Sequence, residues 1–272
     1  MRQPNARGAV VDAARIDVWR DRFQGYRVAV TRDRINAWLD RFAAQDRDLA
    51  ARILDAVEYI SPHDLENALT VALGNLAALG WRKNGRAGRW RFVPFTRRTA
   101  ESGDAVLYHF RVANRLTAAR YDELFISKRD LLEQNLGPED TVVFVDDISG
   151  SGEQAIGNWA VLRELLPRSP RVFLILVVSS TAAKARIEGE TKLRVLHHIE
   201  LTDADRVFST HCGHFTRHEK ERILHYCRRA DHHLPYGWGA CGFVVVFAHR
   251  CPNNSIPILH ARNRSWTGLF ER

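Results

Sequence analysis

The sequence predicts an α/β fold with a parallel sheet, preceded by a helical segment and followed by an irregular extension. Short apolar runs alternate with helical patterns between residues 91 and 201, which is typical of parallel sheets. Residues 142–145 are four consecutive apolar residues, as expected for a strand that is buried on both faces. The 272 residues are 45% hydrophobic and 26% charged, which excludes wholesale disorder, a collagen and a disulfide scaffold.

The segment 15–80 is predicted to be helical. Apolar residues recur at three- and four-residue spacing over 35–42 and again over 49–57. Ser61 and Pro62 form the pattern of an N-cap followed by proline at the first helical position. The helix that they begin is predicted to end at Gly80.

The predicted sheet follows a Gly- and Arg-rich stretch over residues 84–89. Strands are predicted over 91–96, 123–127, 141–146, 171–179 and 193–201. Helices are predicted over 102–116, 153–166 and 182–188. This order favours strand–helix–strand units whose strands run parallel.

The last part of the chain has a different pattern. Thr216 and Glu219 form a capping box that begins a helix to Arg229, and a strand is predicted over 243–249 before an irregular tail. We therefore predict three parts: a helical segment over 1–85, an α/β core over 86–210, and an extension over 211–272 that completes the same domain.

The charge balance favours anionic partners. The chain has 40 basic and 32 acidic residues and a net charge of +8, and 35 of the basic residues are arginines. Arginine suits bidentate contacts with phosphate, although a high-GC codon bias explains the excess equally well. We expect a phosphorylated sugar or nucleotide as a ligand, and nucleic acid, a partner protein and a second copy of the chain stay open as partners.

The cysteines and the apolar runs indicate a compartment. Four cysteines without a CxxC pair, and no charged-then-apolar N-terminal leader, favour a reducing environment. The apolar runs over 172–178 and 243–248 are much shorter than the ~20 residues that cross a bilayer. We expect a cytoplasmic protein without a membrane partner.

The most informative stretch is 142–154, where a buried strand, two carboxylates, a loop of small residues and a helix follow one another. Ligands of open α/β sheets gather at the carboxyl ends of strands. Gly150 and Gly152 leave the backbone N–H groups of the loop accessible to an anion, and the positive end of the next helix strengthens the attraction. Asp146 and Asp147 would repel a phosphate, so we assign them to ribose hydroxyls or to hydrated Mg²⁺. The stretch predicts a site for a phosphorylated sugar.

This stretch resembles the phosphoribosyl pyrophosphate signature of type I phosphoribosyltransferases, which has four hydrophobic residues, two acids and a Gly-rich loop with Thr or Ser. The longer form FVDDISGSGEQA, with WLDRF before it and PNNSIPILH after it, resembles divergent phosphoribosyltransferase-like proteins of bacterial conflict and defence operons. This likeness covers residues 30–272. One position departs from the signature, because Glu153 and Gln154 stand where the loop usually ends in Thr or Ser.

The resemblance implies a role for each part of the site. Asp146 and Asp147 would be the catalytic pair that binds the ribose. The 5′-phosphate would lie on a loop of six residues: Ser149, Gly150, Ser151, Gly152, Glu153 and Gln154. Pyrophosphate would lie on an earlier loop, with ligands from Thr96, Arg97, Arg98, Ser102 and Gly103.

The resemblance also implies a reaction. A nitrogen nucleophile would displace pyrophosphate at the anomeric carbon, with Mg²⁺ bound to the substrate near the two aspartates rather than directly by the protein. The C-terminal extension would be a hood over the acceptor, in which Trp238 and Trp266 stack on a base.

Other interpretations of the same residues stay open. Gly150-x-Gly152-x-x-Ala155 also fits the dinucleotide-binding fingerprint, but the next strand ends without the expected acid. Trp238 and Trp266 are core residues in the competing interpretation. A zinc site or buried thiols would explain the set Cys212, His214, His225 and Cys227. The alternative to an enzyme is a non-catalytic nucleotide sensor or nucleic-acid-binding module that keeps the phosphate loop.

Overall fold

The computed structural model describes residues 11–96 and 102–272. Contacts between Cα atoms divide the chain into two compact units. The terminal unit combines the residues up to Pro62 with Asp203–Arg272, and the sheet unit is His63–Thr202. Within the described residues, no helix is both long and apolar enough to cross a bilayer.

Three helices precede the first strand of the described residues, and strands and helices alternate after them. The helices are α1 (Ala13–Arg22), α2 (Arg32–Leu39), α3 (Arg47–Asp55), α4 (Pro62–Ala77), α5 (Ser102–Ala113), α6 (Glu153–Leu162), α7 (Thr181–Glu190) and α8 (Arg217–Ala230). The strands are β1 (Glu58–Ile60), β2 (Trp90–Pro94), β3 (Thr141–Ser149), β4 (Arg171–Ser180), β5 (Arg194–Leu201) and β6 (Val245–Phe247).

The sheet unit contains a four-stranded parallel sheet in the order β2-β3-β4-β5. Helices α5, α6 and α7 follow β2, β3 and β4 in the chain. Val142, Phe144 and Leu174 are fully buried, as expected for strands covered on both faces. The α/β fold with a parallel sheet, predicted from the sequence, is confirmed. Because the strands are parallel, their carboxyl ends lie at one edge.

The terminal unit joins residues from the beginning and the end of the chain. Strands β1 and β6 pair in parallel, from Glu58 opposite Val245 to Ile60 opposite Phe247. The Trp38 indole N–H donates to the Ile258 carbonyl at 2.8 Å. The two ends of the chain therefore share one hydrophobic core. The predicted capping box is confirmed, because Thr216 and Glu219 bond each other's backbone at the start of α8.

Two strand predictions differ from the structure. The predicted strand over 123–127 is wrong: Ala119–Leu124 is a 3₁₀ helix, and Phe125 makes only an isolated bridge to Phe92. Tyr121 and Leu124 are both buried at a spacing of three residues, which is the period of a 3₁₀ helix. Strand β1 lies inside the segment that was predicted to be helical, and it is specified only by its pairing with β6.

The two units group the chain differently from the three predicted parts, whose boundaries lie at 85/86 and 210/211. Helix α4 lies almost wholly in the sheet unit, where Asn114 Nδ2 donates to the Leu69 carbonyl at 3.1 Å. The described residues up to Pro62 belong with the C-terminal segment instead. Hydrophobic periodicity identifies a helix but does not identify the partner that covers its apolar face.

Candidate functional site

The loop between β3 and α6 lies at the carboxyl edge of the sheet. Strand β3 continues three residues beyond the predicted end at Asp146, and Ser149 pairs with Ser179 of β4. Gly152 is the N-cap of α6 and has a φ of +78°. A Cβ at this position would lie 3.3 Å from the Ala183 carbonyl oxygen. The backbone therefore turns into α6 in a conformation and at a distance that favour glycine.

Ser180, at the end of β4, ties this loop to the next helix. Its hydroxyl donates to the Gly150 carbonyl at 2.7 Å and accepts from the Ala183 N–H at 2.9 Å, which makes Ser180 the N-cap of α7. The side chain is buried. The N-termini of α6 and α7, which carry partial positive charge, are thus both attached to the loop.

The backbone N–H groups of the loop are largely unused. The Glu153 N–H donates to Ser151 Oγ at 3.4 Å. Among the described residues we find no acceptor for the N–H groups of Gly150, Ser151, Gly152 and Gln154. Gly150, Gly152 and Ser149 are buried, Ser151 is half-buried, and Glu153 and Gln154 are exposed. Such a row of unpaired donors beside a helix N-terminus is an anion-binding arrangement.

The two aspartates before the loop occupy different environments. Asp146 is half-buried, and its Oδ1 accepts from Ser102 Oγ and from the Asp147 N–H, each at 2.9 Å. Asp147 is 1% exposed, and its Oδ1 accepts from the Ile148 N–H at 2.8 Å. Consecutive strand residues point to opposite faces of a sheet. Asp146 is therefore the member of the pair that lies with Ser102 at the start of α5.

The second predicted loop begins beside β3. The Phe95 N–H donates to the Val145 carbonyl at 2.9 Å, and Thr96 is buried. A Cβ on Gly103 would lie 2.8 Å from Thr96 Cγ2, so α5 approaches this loop more closely than any other residue type allows. The structure thus brings Thr96, Ser102 and Gly103 close to β3. Arg97 and Arg98 lie outside the described residues.

Two cations near the site were not identified from the sequence. Lys128 Nζ donates to the Thr96 carbonyl at 3.0 Å. Arg186 Nη1, on α7, lies 3.4 Å from the Ser151 carbonyl and 3.9 Å from Glu153 Oε1. A hydrogen bond from its Nε to Glu190 raises the pKa of Arg186, which keeps the charge in place. Arg186 reaches the loop because α7 follows β4, and β4 lies beside β3. The sequence does not show this strand order, so it did not identify Arg186.

The predicted acceptor residues both belong to the terminal unit. Trp266 is fully buried, donates its indole N–H to the Ile258 carbonyl at 3.0 Å, and packs edge-on against Phe42. It is a core residue in this structure, so no face of its ring is open to a base. Trp238 is half-buried, and its Nε1 has no hydrogen-bond partner within the described part of the chain.

The predicted Mg²⁺ matches the donor groups of the site. Magnesium usually keeps several waters and is bound by one or two carboxylates together with substrate phosphates. Asp146 and Asp147 are two such carboxylates at one strand end. In residues 11–96 and 102–272, no group of three or more His, Cys, Asp and Glu side chains is arranged to hold a metal ion. The two carboxylates would suit a cation that substrate phosphates also bind. The candidate zinc residues Cys212 and Cys227 are buried free thiols.

Comparison with known proteins places most of this chain in one family model. The model described as PRTase-CE matches residues 35–272, which include both loops and the two aspartates. The search of curated proteins gives no match.

Proposed function

The chain belongs to the PRTase-CE family, a phosphoribosyltransferase-type family, and from this premise we propose that it binds phosphoribosyl pyrophosphate or a related nucleotide together with Mg²⁺. The site is the carboxyl edge of the sheet, between the loop after β2 and the loop after β3. We also propose that the protein transfers phosphoribose to a nitrogen acceptor. The setting would be bacterial defence, as the sequence resemblance implies.

One observation carries the proposal. Within the described residues, four backbone N–H groups of the loop 149–154 have no acceptor, its turn favours glycine at position 152, and Ser180 holds it against the N-terminus of α7. A loop fixed in this way loses little conformational freedom when an anion binds. A 5′-phosphate fits these donors, and the guanidinium of Arg186, which pairs with Glu190, lies beside them.

The acid pair supports binding of the sugar. Carboxylate oxygens accept hydrogen bonds from ribose hydroxyls, and Ser102 orients Asp146 through its 2.9 Å hydrogen bond. In the transfer, the bond between the anomeric carbon and the pyrophosphate oxygen breaks, and a bond from the acceptor nitrogen to that carbon forms. The proton of the acceptor nitrogen passes to a base, for which Asp146 is the half-buried candidate.

Mg²⁺ would be held by the substrate phosphates near Asp146 and Asp147. When bound, it neutralises charge on the leaving pyrophosphate. The protein's own contribution is to hold the sugar and the phosphate in a fixed relation, so that most of the catalytic effect arises from orientation and from electrostatics.

The experiment is calorimetric titration with phosphoribosyl pyrophosphate and Mg²⁺. We expect heat of binding for the wild type and its loss in the double variant Asp146→Asn with Asp147→Asn. The exposed pair Glu133→Gln with Glu164→Gln, which removes the same charge elsewhere in the sheet unit, serves as the matched control. Absence of heat in the wild type, or equal heat in both double variants, contradicts the proposed site.

The position of Glu153 favours a second candidate, a non-catalytic nucleotide sensor. Glu153 is exposed at the first position of α6, where the signature has a hydroxyl residue, and lies 3.9 Å from Arg186. A carboxylate at this position would repel a phosphate on the loop, whereas a hydroxyl would donate a hydrogen bond to it. We therefore expect slower turnover than with a hydroxyl residue at this position. Pyrophosphate release, measured with a panel of bases, nucleosides and RNA, separates the two candidates. A sensor gives heat of binding with phosphoribosyl pyrophosphate but releases no pyrophosphate with any acceptor.

A further inference from the structure

A second charged surface lies at the opposite edge of the sheet, where the strands begin. We call it the amino-edge surface, and it consists of Arg82, Lys83, Arg86, Arg89 and Arg171. Four of these residues lie in the connection from α4 to β2, and residues 81–91 include no acidic residue. Arg171 belongs to the same edge, because Trp90, Thr141 and Arg171 are paired at the first positions of β2, β3 and β4.

Backbone carbonyls, rather than carboxylates, hold most of these cations. Arg82 Nη1 donates to the Ala77 carbonyl at 2.6 Å and to the Trp81 carbonyl at 2.7 Å. Arg86 Nη1 donates to the carbonyls of Arg82 and Lys83, at 3.1 and 2.6 Å. A carbonyl orients a guanidinium but does not neutralise its charge. The surface is therefore ordered and remains positive.

The carboxylates on this surface are fewer than the cations. Arg89 pairs with Asp140 at 2.8 Å, and Arg86 lies 4.0 Å from Glu123. Arg91, the second residue of β2, is buried, and burial lowers its pKa. Arg82, Lys83 and Arg171 have no carboxylate partner among the described residues. The unbalanced charge is concentrated on their exposed side chains.

Two buried tryptophans pack against arginines of this surface. The Trp81 and Trp90 rings meet edge-on at 5.4 Å, Arg86 lies over Trp81, and Arg171 lies over Trp90. Gly88, with a φ of +67°, allows the connection to pass against the Glu139 carbonyl, where a Cβ would lie at 2.0 Å. The positions of the cations therefore follow from packing.

We propose that the amino-edge surface binds the phosphate backbone of a nucleic acid. Arginines spread along an exposed connection match a polyanion with regularly spaced phosphates. A membrane surface would call for an exposed apolar face beside the charges. The large apolar side chains of this segment, Trp81 and Trp90, are buried instead. The proposal is independent of the phosphoribosyl site, because it uses residues of the other sheet edge.

The test is fluorescence anisotropy with a labelled single-stranded RNA and a labelled duplex DNA, each of about 20 nucleotides or base pairs, between about 50 and 200 mM salt. The variant Arg82→Gln with Lys83→Gln is expected to weaken binding for all sequences alike. Its plot of log affinity against log salt becomes shallower by about 1.4 for RNA or about 1.8 for DNA. The control Arg217→Gln with Lys192→Gln removes the same two residue types from exposed positions and keeps the wild-type slope.

The single variant Lys83→Gln tests the proposal even if the loss of Arg82 unfolds the end of α4. Lys83 is exposed and has no side-chain partner within residues 11–96 and 102–272, so its replacement leaves the fold intact and makes the RNA slope shallower by about 0.7. Three results overturn the proposal: no binding of either probe at the lowest salt, equal slopes for the Lys83 variant and the control, or binding to phosphatidylserine vesicles but not to nucleic acid.

Discussion

Ser180 Oγ bonds the Gly150 carbonyl at 2.7 Å and so links the end of β4 to the loop after β3. The same hydroxyl accepts from the Ala183 N–H and caps α7. One buried side chain thereby fixes the distance between two neighbouring strand ends at the candidate phosphate site. This relation makes Ser180 a positioning residue, because it acts on the ligand through the loop.

We expect Ser180→Ala to lower both stability and ligand affinity. Loss of the N-cap costs about 1 kcal/mol, and the Gly150 carbonyl loses its donor. Urea denaturation and titration with phosphoribosyl pyrophosphate measure the two effects. Ser180→Thr keeps the hydroxyl and is expected to restore most of the affinity. Equal affinity in the alanine variant and the wild type would show that the link is irrelevant to binding.

Gly152→Ala is expected to destabilise the protein by roughly 1–2 kcal/mol, because its φ of +78° is unfavourable for a residue with a Cβ. The added Cβ would also lie 3.3 Å from the Ala183 carbonyl. Gly157→Ala, in the same helix, is the matched control. No atom lies within 4 Å of its added Cβ, so it is expected to stabilise α6 by up to about 1 kcal/mol. Denaturation midpoints that change in the same direction for both variants would refute this assignment.

Ser102→Ala is expected to weaken phosphoribosyl pyrophosphate binding with a stability loss of only about 1 kcal/mol. The variant removes the 2.9 Å hydrogen bond to Asp146 Oδ1, which is one of the contacts that orient that carboxylate. Calorimetry reports the affinity, and Ser102→Thr, which retains a donor, tests for rescue. Thr70→Ala, on the exposed surface of α4, is the control for loss of a hydroxyl in the sheet unit.

Acid is expected to weaken the terminal unit through Glu219. The hydrogen bond from Arg52 lowers the pKa of Glu219 to about 2, helped by the backbone N–H of Thr216. Because the folded-state value is depressed, the stabilisation is fully present above the ordinary value of 4.5 and is lost as the pH falls towards 2. The difference in unfolding free energy between the wild type and Glu219→Gln, measured by urea denaturation, should therefore shrink over this range. A difference that is constant with pH would contradict the ion pair.

Much of the sheet could be predicted from the sequence. The apolar run that ends at Asp146 required a buried strand, and the small residues after it required a turn into a helix. Both signals are local, because each depends on residues close together in the chain. The 3₁₀ helix over Ala119–Leu124 could not be separated from a short strand, because a few apolar residues fit either pattern.

The sequence alone determined that a strand, a loop and a helix follow one another over 141–162, through its pattern of apolar, acidic and glycine residues, but it placed the end of β3 three residues too early. Only the tertiary structure decided which side chains meet that unit. Ser180 and Arg186 reach the loop because β4 lies beside β3, Ser102 reaches Asp146 because α5 packs on the same strand, and Trp266 is enclosed in a core. Such contacts join residues far apart in the chain, and their distances follow from the packing of whole strands and helices rather than from local preference.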